Sequence, residues 1–181
     1  MSSLVEYLGQ KRQALLDRRA RIVDGRLGPA RLKASAVAEG RSGVRRIRIR
    51  DFQTITDSPQ DFAGYDLGPS SPELQLGVLG SCLNHSFLIQ AAALEIPIDS
   101  IVVAVEATLD PRAKSEGFET APVHPTDISY VVKIASSASA AEIEQLHTAV
   151  EQWCPILNLL KNPQTIVGRI ELAQRRAAAA E

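Results

Sequence analysis

The chain has 181 residues, a length that suits one domain with short appendages. Hydrophobic residues make up 45% of the sequence and aromatic residues only 4%, so a core has to be filled mainly by Leu, Ile, Val and Ala. The formal net charge of -1 argues against an attraction of the whole protein to nucleic acid.

The charge is distributed unevenly along the chain. Residues 1–50 contain 13 Lys and Arg against 4 Asp and Glu, a balance of +9, whereas residues 51–181 contain 7 against 17, a balance of -10. This asymmetry predicts a partner surface, ion pairs between subunits or a basic site. An RNA- or DNA-binding patch is disfavoured, because the basic third is poor in aromatic side chains for base stacking.

The sequence shows no targeting segment and no membrane span. Residues 1–10 lack the apolar region of a signal peptide, and no apolar stretch reaches about 18 residues. We therefore expect a cytoplasmic protein without membrane contact, where a structural disulfide is unusual. Cys82 and Cys154 belong to no CxxC motif and to no Cys/His set with zinc spacing, so neither a metal nor a cofactor is predicted.

The first part of the chain predicts a helix followed by a β-hairpin. The segment from Ser3 to Arg19 carries an incomplete apolar stripe, and we assign residues 1–27 to an N-terminal helical appendage. Two alternating segments, Arg31 to Ala38 and Val44 to Thr56, predict the two strands of the hairpin. Residues 39–43 form the turn between them.

The strongest helix signal lies in the middle of the chain, after a loop rich in Pro, Gly and Asp. The segment from Pro72 to Leu94 is apolar nearly all round, which predicts a helix buried on most sides. Ser71 is expected to cap this helix, and Pro72 suits its first turn. Gly77 and Gly80 allow another backbone to approach closely.

The remaining segments predict two strands, a helix capped by Ser139, a short helix and a final strand. Cys154 and Pro155 interrupt the two helices, and residues 174–181 form a tail. In chain order the elements are Ser100 to Leu109, Ile128 to Ile134, residues 140–153, Ile156 to Leu160, and Thr165 to Leu172. The alternation of helices and strands favours an α+β fold over a doubly wound one.

Three segments, in this order, resemble the OsmC/Ohr family. Asp57-Ser-Pro, leading to Gly64-Tyr-Asp-Leu-Gly-Pro-Ser-Ser-Pro-Glu73, is similar to the family's loop, in which Asp and Pro precede Gly-x-Asp-x-Gly-Pro-x-Pro-x-Glu. Leu79-Gly-Ser-Cys-Leu83 lies inside a long apolar helix, as in the family. Cys154-Pro-Ile-Leu-Asn158 is similar to Cys-Pro-Val/Ile-x-Asn. The resemblance covers roughly residues 30–172.

The resemblance implies a fold, an assembly and an activity. The fold would be OsmC-like over residues 28–173, with antiparallel sheets wrapped around long central helices in an intertwined homodimer whose sites lie at the subunit interface. The activity would be that of a thiol-dependent peroxidase in the oxidative stress response. Cys82 would attack an organic hydroperoxide or hydrogen peroxide, Cys154 would resolve the product as a disulfide, and an external dithiol would reduce that disulfide.

Such chemistry needs a cation close to Cys82. The thiolate is the nucleophile, and burial among apolar residues raises the pKa of a thiol, so a fixed positive charge has to oppose that effect. The family uses an Arg from the N-terminal hairpin region, which we place at Arg46 or Arg48. Arg41, in a Gly-Arg-x-Gly turn, is the alternative.

Glu73 matches the family's Glu, which acts with that Arg, but its position raises a geometric objection. Nine residues separate it from Cys82, about 900° around a helix, so the two side chains point to opposite faces. Glu73 therefore reaches the site only if the loop or a partner subunit reorients it. Cys154 has more local support, because a helical turn that starts at Pro155 favours a thiolate at its N-terminus.

A non-catalytic alternative is an OsmC-like dimer that binds a small apolar or acyl ligand, or a protein partner. The appended helix, the charge asymmetry and the uncertain Arg favour it. His85, three residues after Cys82, is either a base or, as we prefer, a buried hydrogen-bonded residue, and His147 is predicted on the surface.

Overall fold

A computed structural model describes residues 4–40 and 42–172 of the chain. It contains four α-helices and five strands in two antiparallel sheets, the α+β pattern predicted from the sequence. In chain order they are α1 (Leu4–Val23), β1 (Ser35–Ala38), β2 (Arg45–Ile49), β3 (Phe52–Thr56), α2 (Ser71–Leu94), β4 (Ser100–Thr108), β5 (Thr126–Ala135), α3 (Ala140–Trp153) and α4 (Pro155–Lys161).

The predicted hairpin is instead a three-stranded antiparallel meander in the order β1-β2-β3. The prediction of a single strand from Val44 to Thr56 is wrong. The chain turns back at Arg50, whose φ is 55°, and this turn places Ile49 opposite Phe52. The turn lets two five-residue strands pair with each other. Among the described residues, the meander forms no extended contact with a helix or with the second sheet.

Helix α2 is the centre of the core. Its N-cap is Ser70 rather than the predicted Ser71, because the Ser70 side chain accepts from the Glu73 backbone N–H while the Glu73 carboxylate accepts from the Ser70 backbone N–H. The helix ends at Glu95, which takes a left-handed conformation with φ 60°. Gly80 lets strand β4 approach, since a Cβ there would lie 3.3 Å from the Val105 side chain.

The second sheet, β4-β5, covers one side of α2, and helices α1, α3 and α4 cover others. Side chains along β4 alternate between half-buried and exposed, as a strand with one face on a core requires. Helix α3 is capped by Ser139, which forms a capping box with Glu142 and confirms the predicted cap. Fully buried side chains of the core include Leu79, Leu83, Phe87, Ile98, Leu146, Val150 and Cys154.

Helix α1 packs against the C-terminal half of α2. Leu8 is buried against the core cluster, and Arg12 pairs with Glu95 at the end of α2, with 2.9 Å between Nη1 and Oε1. Residues 1–3 of the predicted appendage and the predicted tail, residues 174–181, lie outside the described residues.

The strand predicted from Thr165 to Leu172 is not present, because no strand edge pairs with this segment within the described chain. Its apolar side chains are almost fully exposed, with Ile166 at 90% and Leu172 at 96%. An apolar, β-prone sequence becomes a strand only where a neighbouring strand offers hydrogen bonds.

One chain alone leaves an unusually large surface open. Its accessible surface is 14382 Å², whereas a compact monomer of 19.6 kDa is expected to expose about 8,600 Å². Part of the excess lies on the meander, where Ile49 and Phe52 are 48% and 65% exposed.

Helix α2 also has the length and composition of a membrane span, with a mean hydropathy of 1.2 over its most apolar window. The core helix of a folded domain meets the same criteria. Leu79, Leu83 and Phe87 of α2 are at most 1% exposed within the folded chain, so the helix serves here as a core element.

We predict that Ser70→Ala lowers the free energy of unfolding by about 1 kcal/mol, because it removes the oxygen that caps α2. Urea unfolding at a fixed protein concentration measures this loss. Ser71→Ala is the matched control, since Ser71 is the first residue of the helix and is expected to change stability by less than about 0.5 kcal/mol. A larger loss for Ser71→Ala than for Ser70→Ala would contradict the assignment.

Candidate functional site

The two cysteines lie on different elements of the core. Cys82 is half-buried in the middle of α2, and Cys154 is completely buried at the break between α3 and α4. The break follows from Pro155, which has no N–H to continue helix α3 and whose fixed φ suits the first position of α4. Cys154 itself takes an extended conformation, with φ -72° and ψ 115°.

The break brings the two sulfur atoms together. The Sγ atoms of Cys82 and Cys154 are 3.5 Å apart although 72 positions separate the residues in sequence. Both cysteines are free, and a disulfide requires a sulfur–sulfur distance of about 2.0 Å, so a closure of about 1.5 Å would join them.

The surroundings of Cys82 act on its pKa in both directions, and the net result is an increase. Burial is the largest cause of the raised pKa, and the neighbouring Cys154 thiol raises it further. The backbone N–H of Ile156 and the hydroxyl of Ser86 act in the opposite direction, because hydrogen bonds to sulfur stabilise the thiolate. Among the described residues, no cation contributes to the shift of the Cys82 pKa.

A polar cluster that the sequence did not reveal lies close to Cys154. The Tyr130 hydroxyl donates to Glu151 Oε1 at 3.0 Å, which leaves its oxygen to accept from His147 Nε2 at 2.9 Å. Lys161 donates to the same Glu151 oxygen at 3.3 Å. Burial first, then the hydrogen bond to Glu151, and then the charges of Glu151 and Cys154 raise the pKa of Tyr130 to about 12.

His147, which we predicted on the surface, is half-buried, and its ring also stacks on Phe87 at 6.2 Å. The spacing of His147 and Glu151, one helical turn apart, was the only signal of this cluster in the sequence. His85, which we predicted to be buried, lies at the surface. It is exposed, its Nε2 lies 3.1 Å from Lys11 Nζ, and partial burial and Lys11 lower its pKa.

Glu73 lies at the start of α2, about 13 Å along the helix from Cys82 by the rise per residue. Its carboxylate accepts from the Ser70 backbone and hydroxyl, both at 2.7 Å, and these bonds lower the Glu73 pKa. Within one chain the structure does not bring Glu73 to the thiols. It lines a separate cavity of about 330 Å³ beside Asp57 and Asp66.

The loop that carries the first motif is organised by Asp57, which is 1% exposed. Its carboxylate accepts from the backbone N–H groups of Ser58, Tyr65 and Leu67 at 2.8, 3.0 and 3.2 Å. A Cβ at Gly64 would lie 1.8 Å from the Ser58 carbonyl oxygen, so only glycine fits there. The motif therefore has a structural basis in this chain.

The predicted arginines lie on the meander, away from the thiols of their own chain. Arg46 donates to both carboxylate oxygens of Glu39 and, at 3.0 Å, to Gln53. Arg48 lies on the same face of β2, and this face is opposite to Ile47 and Ile49. Arg41, the alternative, lies outside the described residues.

The described residues, 4–40 and 42–172, contain no group of three or more His, Cys, Asp or Glu side chains that could hold a metal ion. The chemistry that the geometry offers is therefore that of two adjacent thiols in a core lined by leucine, valine and phenylalanine side chains.

Comparisons with solved structures show the fold. An OsmC-like protein from Mycoplasma pneumoniae is 20% identical with a TM-score of 0.63, over 74% of this chain and 89% of that one. An organic hydroperoxide resistance protein from Legionella pneumophila is 15% identical with a TM-score of 0.54, over 75% and 92%. An OsmC-like protein of unknown function from Vibrio cholerae is 13% identical with a TM-score of 0.55, over 72% and 93%.

A search of the curated proteins found no match. The family model described as OsmC-like protein matches residues 64–167, more than half of the chain, including the loop motif after Gly64 and both cysteines. The architecture and this match agree with the resemblance found in the sequence. The chain belongs to the OsmC-like protein family.

Proposed function

We propose that this protein is a thiol-dependent peroxidase that works as a homodimer and reduces organic hydroperoxides through Cys82 and Cys154. The observation that carries the proposal is the 3.5 Å distance between the two sulfur atoms. Two thiols at this distance can pass from the reduced to the disulfide state through a small local movement. The Legionella relative of the same fold is named an organic hydroperoxide resistance protein, which supports the choice of substrate.

The reaction has two steps. The Cys82 thiolate attacks the terminal peroxide oxygen, the O–O bond breaks, and the alkoxide leaves and takes up a proton, which gives an alcohol and a Cys82 sulfenic acid. Cys154 then attacks the Cys82 sulfur, the S–O bond breaks, and the hydroxide leaves as water with the proton from Cys154. The peroxide is reduced and both thiols are oxidised, and an external dithiol returns the pair to the thiols.

A second copy of the chain would cover the apolar surface that one chain leaves exposed. The surface excess and the exposed apolar face of the meander are typical of a protein whose core is completed by a partner. The exposed apolar segment from Thr165 to Leu172 would find its neighbouring strand in the second copy. The proposal places this dimer in the cytoplasm, where cellular dithiols are present.

The dimer also offers the missing cation. Arg46 is already paired with Glu39, and both Arg46 and Arg48 lie opposite to the apolar face that a second copy would cover. We therefore assign the cation to Arg41 of the second copy, the alternative that the sequence offers. A guanidinium there would oppose the increase of the Cys82 pKa by burial.

One observation favours the non-catalytic alternative, a dimer that binds a small apolar ligand or a protein. In the described chain the Cys82 pKa is raised and no cation lowers it, which disfavours the nucleophile. A peroxidase and a binding protein are distinguished by whether the two thiols react with peroxide.

We predict that one equivalent of cumene hydroperoxide consumes both thiols of the reduced protein and lowers the mass of each chain by about 2 Da, the loss of two hydrogens. Thiol titration and intact mass spectrometry measure this change. Peptide mapping should show Cys82 joined to Cys154 within one chain. Unchanged thiols would eliminate the peroxidase and leave the binding function.

The single cysteine variants test the two roles. Cys154→Ser should stop at a Cys82 sulfenic acid that dimedone traps, because no second thiol is close enough to condense with it. Cys82→Ser should leave Cys154 unreacted, since that sulfur is completely buried. A reaction of Cys154 in the Cys82→Ser protein would reverse the assigned roles.

We predict that a heterodimer of one Arg41→Ala chain and one Cys82→Ser chain, purified with two different tags, has about half of the wild-type peroxidase activity, because one of its two sites is complete. Each variant homodimer should be inactive. Arg48→Ala is the matched control from the outer face of the meander and should keep the activity as a homodimer. A heterodimer as inactive as its parents would contradict an arginine that acts across the interface.

A further inference from the structure

The break that positions Cys154 leaves two backbone acceptors without their ordinary partners. In a continuous helix the carbonyl of residue 151 accepts from the N–H of residue 155, and that of residue 152 from the N–H of residue 156. Pro155 has no N–H, so the Glu151 carbonyl loses its donor. The Ile156 N–H acts on the Cys82 sulfur, whose pKa it lowers, so the Gln152 carbonyl lacks its ordinary donor as well.

A single side chain takes over both carbonyls. Asn158 Nδ2 donates to the Glu151 oxygen at 3.1 Å and to the Gln152 oxygen at 3.2 Å. It also lies 2.9 Å from the Cys154 carbonyl oxygen, which the Asn158 backbone N–H reaches at 3.0 Å. The two hydrogens of one amide are thus shared among three carbonyls at the corner that carries the buried thiol.

The consequence concerns the Ile156 N–H. Without Asn158, the Gln152 carbonyl could accept from the Ile156 N–H, its ordinary donor in a continuous helix, in competition with the Cys82 sulfur. With Asn158 in place, the N–H is free to point at the sulfur.

We propose that Asn158 is a positioning residue for the redox pair: its amide occupies the carbonyls of Glu151 and Gln152, which holds Cys154 against Cys82 and directs the Ile156 N–H to the Cys82 sulfur. The inference rests on the proposed function for its purpose, since a directed N–H matters only where a thiolate has to form. The geometry that it uses is independent of any substrate.

The test is the titration of Cys82 in Asn158→Ala and Asn158→Asp, of which the second keeps the shape of the side chain and loses the donor. Peptide mass spectrometry after iodoacetamide pulses between pH 6 and 11 gives the pKa of Cys82 alone. We expect both variants to raise this pKa by about one unit. Formation of the Cys82–Cys154 disulfide with diamide should slow about tenfold, because Cys154 is held less firmly.

Asn162→Ala is the matched control. Asn162 Nδ2 donates at 2.7 Å to the carbonyl four residues before it, that of Asn158, which is the same type of bond one turn further from the thiols. It should leave both the Cys82 pKa and the diamide rate unchanged. Equal values in Asn158→Ala, Asn158→Asp, Asn162→Ala and the wild type would overturn the proposal.

A second measurement needs no variant and so does not depend on how well the variants fold. In the ¹⁵N-labelled wild-type protein, the Ile156 amide resonance should shift with the same apparent pKa as the alkylation of Cys82. An Ile156 resonance that does not follow the ionisation of Cys82 would also overturn the proposal. Iodoacetamide and diamide need no peroxidase, so a protein that fails to reduce hydroperoxides refutes the proposed function while the role of Asn158 is judged separately.

Discussion

The structure depends on one break in a helical segment, between Cys154 and Pro155. A proline at this point ends α3, because it offers no N–H to the preceding turn, and starts α4 in a new direction. The corner places a fully buried thiol 3.5 Å from a cysteine in the middle of the central helix. A continuous helix would carry residue 154 onward along its own axis, and the two sulfur atoms would have no reason to meet.

Burial and charge oppose each other at this site. The apolar core that holds the sulfurs together also raises the pKa of Cys82, and the described part of a single chain provides only hydrogen bonds from Ile156 and Ser86 against that effect. The same chain exposes far more surface than a compact protein of its mass, and its basic and acidic parts are separated along the sequence. The proposed homodimer is based on these two features.

Motif residues differ in what they do for the molecule. Gly64 and Asp57 are explained by the packing of the loop itself, since a side chain at Gly64 would collide with the backbone of Ser58 and the Asp57 carboxylate ties together three backbone N–H groups. Glu73 closes the capping box of α2. Asn158 links the third motif to the thiols, because its amide satisfies carbonyls that the helix break leaves without donors. Each of these four motif residues therefore has a structural task in the chain.

The sequence by itself determined the α+β class, the buried central helix, the break at Pro155 and the family, because these follow from apolar periodicity, from proline and from short motifs of fixed order. The turn at Arg50 also had a signal in the sequence. Apolar residues occupy odd positions at Ile47 and Ile49 but an even position at Phe52, so the alternation changes phase between β2 and β3. Only the tertiary structure decided that Cys82 and Cys154 meet, that Tyr130, His147 and Glu151 form a cluster, and that Thr165 to Leu172 finds no strand partner within the described chain. The physical reason is that periodicity reports which face of an element is buried, whereas contacts between elements depend on how distant parts of the chain, or two chains, are packed together.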